Sequence, residues 1–166
     1  MPDTPESNKA LVRAYFEAID TGDAAIIATF LAPDYVEHAS AFPDLRPGVE
    51  GVHDVFKLSN VAFTNFRHVI EDQVAEGDRV VTRVTAIGDH VGDYWGVPAT
   101  GRQVSMEGIA IHRIANGRIA EDWGKSDLYG LIQRMRAPEP SLPSCYPAPD
   151  ARHGRHRAPD LATVRC

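Results

Sequence analysis

The chain has 166 residues and a mass of 18.2 kDa, the size of one domain with room for a tail. It is 43% apolar and 24% charged, with 17 basic residues against 23 acidic and a net charge of −6; this is an ordinary globular balance without the basic face that a nucleic-acid binder needs. The opening MPDTPESNKA is polar and acidic rather than a secretory core, and no apolar run approaches the ~20 residues that span a bilayer.

Thr4 and Pro5 suit an N-cap and a first helical residue. Leu11, Val12, Tyr15, Phe16 and Ile19 then recur at helical spacing. Thr21-Gly22-Asp23 ends that helix and caps a second, in which Ile26, Ile27, Phe30 and Leu31 line up before Pro33. Tyr35–His38 is a short strand, residues 39–48 are a loop with two prolines, and Val52, Val55, Phe56 and Ser59 predict a third helix near 50–62. From residue 66 the period changes to two. Phe66–Ala75 and Arg79–Ile87 read as strands joined at Glu76-Gly77-Asp78. Gln103–Ala115 and Arg118–Ser126 flank Asn116-Gly117, the strongest hairpin signal in the chain. A last helix, Asp127–Arg136, carries Leu128, Leu131, Ile132 and Met135. Helices followed by an antiparallel meander define an α+β class, with a pocket expected at the open end of a curved sheet.

Composition shifts after Arg136. Residues 137–166 hold six of the twelve prolines and four arginines, and are expected to form a disordered tail because so little apolar surface offsets the ordering entropy. The domain is therefore residues 1–136, with 13 basic against 20 acidic residues and a net charge of −7. Both cysteines, Cys145 and Cys166, lie in the tail, so neither a disulfide framework nor a cysteine-based zinc site supports the body, and a reducing cytoplasm is the simplest setting.

Standard nucleotide, zinc-protease and serine-hydrolase motifs are absent. Five body histidines stand at 38, 53, 68, 90 and 112; none is paired at helical i, i+4 spacing, and only a spatial approach such as that of His38 to His112 would make a metal site, so none is assigned. Two segments are rich in candidate chemistry. His90–Arg102 sets Tyr94 and Trp95 among three glycines and a proline, either as a loop over a cavity mouth or as a hairpin whose aromatics cover the core edge. Ile119–Asp127 gathers Glu121, Asp122 and Asp127 around Trp123. Strand alternation puts Glu121, Trp123, Lys125 and Asp127 on one face and Ala120, Asp122, Gly124 and Ser126 on the other. A carboxylate facing a pocket has its pKa raised by desolvation and can serve as a general base; Asp127 alternatively caps the last helix. His112 shares a strand face with Met106 and Ala110, a setting that suits a satisfied core histidine more often than a catalyst. His38 is open to the same two readings.

These pieces resemble the SnoaL-like polyketide (ester) cyclases of the nuclear transport factor 2-like superfamily. The matching residues are Tyr15–Asp23, Leu31–His38, the block His90–Arg102 in the pattern H-x-G-x-x-x-G-x-P-x-T-G, and the hairpin His112–Trp123, within a resemblance spanning residues 7–136. The resemblance implies a cone-shaped barrel of curved antiparallel sheet wrapped around N-terminal helices, a homodimer, no cofactor and an apolar or aromatic small-molecule substrate. It also implies an intramolecular aldol cyclisation driven by a carboxylate. The acid/base Asp of the cyclases matches Gly124 here, and its accompanying His matches Ala110. Asp122, one pair earlier on the same face, is the expected substitute, with Asp127 and His112 as further catalytic candidates. Phe16, Tyr35, His38, Tyr94, Trp95 and Trp123 are the expected substrate-binding residues. The competing expectation is a non-catalytic binding module that kept the pocket and lost the acid/base pair.

Overall fold

Thr4 opens the first helix, α1 (Pro5–Asp20), with a reciprocal cap: its hydroxyl accepts from the Ser7 N–H while the Ser7 hydroxyl accepts from the Thr4 N–H. The structure, a computed structural model, describes residues 4–38 and 44–137. From residue 138 onward the expected tail lies outside the described residues. Gly22, at φ +69°, turns the chain out of α1, and the Asp23 carboxylate caps the short α2 (Ala24–Ala28).

The second helix is shorter than its apolar spacing predicts, because it ends at the Thr29 cap and Leu31 already belongs to a strand, β1 (Leu31–Glu37). Pro33 is tolerated there for two reasons: β1 is an edge strand, and its register breaks between Leu31 and Val36. α3 (Gly48–Ala62) runs directly into β2 (Phe63–Glu76), which starts earlier than the two-residue period suggests. Asn65, at φ +51°, lies in a register break between Thr64 and Arg67 and interrupts that period. β3 (Arg79–His90), β4 (Gln103–Ala115), β5 (Arg118–Ser126) and α4 (Leu128–Arg136) complete the chain order.

The sheet order is β1-β5-β4-β3-β2, antiparallel except for the parallel β1–β5 pair. The sheet curves around the helices without closing into a barrel of strands, since β1 and β2 remain its unpaired edges. α1 crosses β2 and β3, α3 bridges β1 and β2, and α4 packs on β4. The main core joins Val12, Tyr15, Phe16 and Ile19 of α1 to Ile27, Leu31, Val80, Val84, Ile114 and Ile119. Each such fully buried aliphatic side chain contributes about 1.5–3 kcal/mol of transfer free energy, which outweighs the weak helix propensity of so β-branched a set. On the outer face a cross-strand row runs Val74, Val81, Ile111, Trp123. No described helix is long and apolar enough to cross a membrane.

Candidate active site

A cavity of about 440 Å³ opens between the concave sheet and the helices α1 and α3. Its apolar wall includes Phe16, Phe56, Phe66, Val84, Met106 and Tyr94, and its polar groups include Tyr15, Glu37, His68, His112 and Asp122.

Asp122 occupies the middle of a three-strand rung. On β4 its partner is His112; on β1 its partner is Glu37. The Asp122 Oδ2 stands 4.0 Å from His112 Nε2, too far for a hydrogen bond. Burial, reinforced by the charge of Glu37 and opposed by His38, raises the Asp122 pKa to about 7. Burial alone lowers that of His112 to about 4. Near neutrality, therefore, His112 is uncharged and Asp122 is poised between its acid and its base, so the two do not form an ion pair. Among the described residues, neither Asp122 Oδ1 nor His112 Nδ1, both buried, has a hydrogen-bond partner, an arrangement that costs free energy unless a ligand completes it. Above the pair, the Tyr15 and Phe16 rings meet the His112 ring edge-on at 5.7 and 5.9 Å. The Tyr15 and Tyr35 hydroxyls are held in their neutral donor form by burial, with the Asp122 and Glu37 charges adding to it.

Gly124 and Ala110 form the next cross-strand pair on the same face. A Cβ built on Gly124 would lie 3.9 Å from Asp122 Oδ1, so the Asp122 carboxylate borders the space a side chain at 124 would enter. The one register break between β4 and β5, at Arg113/Ile114, falls beyond both pairs and leaves the parity of Asp122 and Gly124 intact.

The candidate residues divide. Asp122, His112, Phe16 and Tyr94 line the cavity. Tyr35 is buried in the core beside them. Asp127 does not join them: it is exposed and caps α4, its Oδ1 accepting from the Gly130 N–H at 2.9 Å and its Oδ2 facing Arg134 at 3.2 Å. The Gly130 amide first and Arg134 second hold its carboxyl below the usual range, which removes it as a base tuned to neutrality. His38 and Trp123 stand on the outer face, stacked on each other at 4.4 Å with an interplanar angle of 2°. His38 there pairs with Glu121, which Arg113 also holds. His38 and His112 are thus on opposite faces of the sheet, and the approach that a shared metal would require does not occur.

Trp95 is displaced for a different reason. Tyr94 and Val97 pair with Trp95 and Gly96 between them, at φ +51° and +69°, a tight turn that carries the indole to an exposed tip. Tyr94, outside the turn's centre, packs edge-on against Phe63 at 4.9 Å. His90 ties the loop closed, its backbone paired with Gly101 and Arg102 and its Nδ1 3.1 Å from the Thr100 hydroxyl. Gly92 approaches α3 so closely that a Cβ there would strike the Val61 carbonyl.

Sequence reasoning passes over Tyr15, Glu37 and His68 as site residues. Tyr15 lies in the apolar stripe beside Phe16. Glu37 shares the face of Tyr35 by strand alternation, the same rule that sends His38 outward. His68 carries no local signal of its partner.

Residues 9–135 match the model of the SnoaL-like polyketide cyclases. The chain is 32% identical over 151 residues to the aklanonic acid methyl ester cyclase DauD of Streptomyces sp. (strain C5), covering 87% of this chain and 93% of that protein. It is 32% identical over 134 residues to the aklanonic acid methyl ester cyclase DnrD of Streptomyces peucetius, covering 79% of this chain and 92% of that one. Among solved structures, TsrD from Streptomyces laurentii superimposes with a TM-score of 0.72 at 29% identity, over 80% of this chain and 97% of that one.

Proposed function

This chain belongs to the SnoaL-like polyketide cyclase family, and from that footing we propose that it closes a ring in an aromatic polyketide methyl ester by intramolecular aldol addition, with Asp122 as the base. The observation that carries the proposal is a carboxyl poised near pH 7 inside a largely apolar cavity, next to His112 and beneath the Tyr15 ring. A carbon flanked by carbonyls has a labile proton, and a carboxylate with a raised pKa is strong enough to take it near neutrality. The apolar wall of Phe16, Phe56, Phe66 and Met106 suits a flat aromatic substrate. The neutral Tyr15 and His112 side chains orient its oxygens at the Asp122 end. Because the reaction is an isomerisation, protons are all that the site has to move.

The relatives favour an ester as the first substrate to try, since DauD and DnrD are cyclases of aklanonic acid methyl ester. Incubating the purified chain with that ester is expected to yield a cyclised isomer of unchanged mass. Saturable binding with no isomer formed would favour the non-catalytic module instead. We further propose that two copies pair through the outer row of Val74, Val81, Ile111 and Trp123, the first two of which are exposed; a monomer mass by light scattering at working concentration would contradict this.

A further inference from the structure

Across the cavity from the Asp122 rung lies a second acid/base arrangement, built from the end of α1 and from β2. His68 lines the cavity, and its side chain is only 12% exposed. The Asp20 carboxylate grips the residue twice: Oδ2 accepts from the His68 backbone N–H at 2.9 Å, and Oδ1 stands 2.7 Å from Nδ1. A carboxylate already accepting a backbone proton can only accept from the ring, so Nδ1 carries hydrogen and any proton exchanged with a ligand passes through Nε2. Asp20 engages only Nδ1, so Nε2 is the ring nitrogen it leaves to a ligand. The ring itself is clamped, its centroid 5.1 Å from that of Phe16 and 5.0 Å from that of Phe66. Phe16 also touches His112, so one aromatic ring separates the two polar ends of the cavity. A carboxylate-oriented imidazole, fixed in tautomer and facing, is the arrangement by which proteins position a general acid.

We propose that His68, positioned by Asp20, is the general acid that delivers a proton to the oxygen formed as the ring closes, opposite the base Asp122. The assignment rests on the cyclisation proposed above. His112 cannot fill the role near neutrality, because burial keeps it uncharged. In the step, an Asp122 oxygen takes the proton from the carbon between carbonyls, and the electron pair left on that carbon forms the new C–C bond to the ketone carbon. The ketone π pair moves onto its oxygen, which takes the proton from Nε2 of protonated His68. Asp122 then loses its proton to water and His68 regains one from water. Substrate and product are isomers, and nothing is oxidised or reduced.

The test uses aklanonic acid methyl ester in D2O and follows two events separately, exchange of the acidic C–H for deuterium and ring closure. His68→Gln is expected to keep exchange within a few-fold of wild type while losing about 100-fold or more in closure. Asp20→Asn should lower kcat with little change in KM. Unchanged closure in His68→Gln, or equal loss of exchange and closure, overturns the role of His68. Loss of exchange belongs to Asp122→Asn, and exchange that survives that change overturns the base assignment instead. Independently of turnover, 15N resonances of the wild-type imidazoles are expected to show His68 protonated at Nδ1, with an Nε2 signal that moves when the ester is added. An Nε2–H neutral tautomer, or an Nε2 signal indifferent to the ester, contradicts the proposal even if the chain turns over no ester at all.

Discussion

Asp122 and His112 face each other across the β4–β5 ladder one pair along from Gly124 and Ala110, on the same concave face. By the family resemblance, the acid/base Asp and His of the cyclases fall at 124 and 110. The chain therefore keeps an Asp on β5 opposite a His on β4, shifted by one rung, with its carboxylate bordering the space that Gly124 leaves open. This pair also lies within the stretch of β5 that β1 pairs, so Glu37 is a neighbour of Asp122.

That neighbour should be visible in the pH dependence of turnover. With Asp122 as base, kcat/KM is expected to rise with pH through an apparent pKa of about 7. Burial sets most of that value and the charge of Glu37 adds to it, so Glu37→Gln should move the midpoint to lower pH. Rate profiles of the two proteins check this; a midpoint that stays put or rises in Glu37→Gln would show that the titrating group is not the one beside it.

Stability should carry the same groups with opposite signs. Asp122 binds a proton more tightly folded than unfolded, so its contribution is full below pH ~4 and falls as pH climbs to about 7. His112 binds a proton less tightly folded, so its contribution is full above pH ~6.5 and is lost as pH drops toward about 4. Asp122→Asn should accordingly match wild type in acid and exceed it at pH ~8 by up to a few kcal/mol, since each tenfold change in proton affinity between the folded and unfolded chain is worth ~1.4 kcal/mol. Chemical denaturation across that range is the measurement. Equal stability at pH ~8 would mean that the Asp122 carboxylate is better solvated than its burial indicates.

The shifted rung also predicts a rescue. Gly124 does not have a positive φ, and a Cβ there meets Asp122 at ordinary contact distance. The double variant Asp122→Asn/Gly124→Asp should recover a measurable part of the turnover that Asp122→Asn loses. Steady-state rates of the single and double variants decide it, and no recovery in a well-folded double variant would count against equivalence of the two positions.

Asp127 should behave as a structural residue. Asp127→Ala removes the cap of α4 and its contact with Arg134, so the melting temperature is expected to fall modestly while kcat and KM stay at wild-type values. A large loss of kcat would return Asp127 to the reaction.

How much of the fold and site is legible in the sequence depends on the range of the interactions. β4 and β5 match their predicted bounds because Asn116-Gly117 supplies the positive-φ turn that fixes where the two strands meet. β1 reads short because Pro33 looks like a terminator and only its place at the sheet edge excuses it. Asp122 emerges by parity from Gly124, a local argument that needs only a strand without a bulge between them. Glu37 and the Asp20–His68 pair escape notice as site groups for the opposite reason. Each acquires its role from a partner tens of residues away, brought near by the parallel β1–β5 pairing or by α1 crossing β2. Trp95 is misplaced because two consecutive left-handed residues turn its side chain away from the cavity, and alternation carries no information about such a turn.

The central claim is that Asp122 moves the proton, and the most direct measurement is the cyclisation rate of Asp122→Asn beside wild type on aklanonic acid methyl ester. The swap is nearly isosteric, so an intact fold and retained ester binding are expected, with kcat lower by roughly 10²–10⁴. A folded Asp122→Asn protein that cyclises the ester at the wild-type rate would contradict that claim.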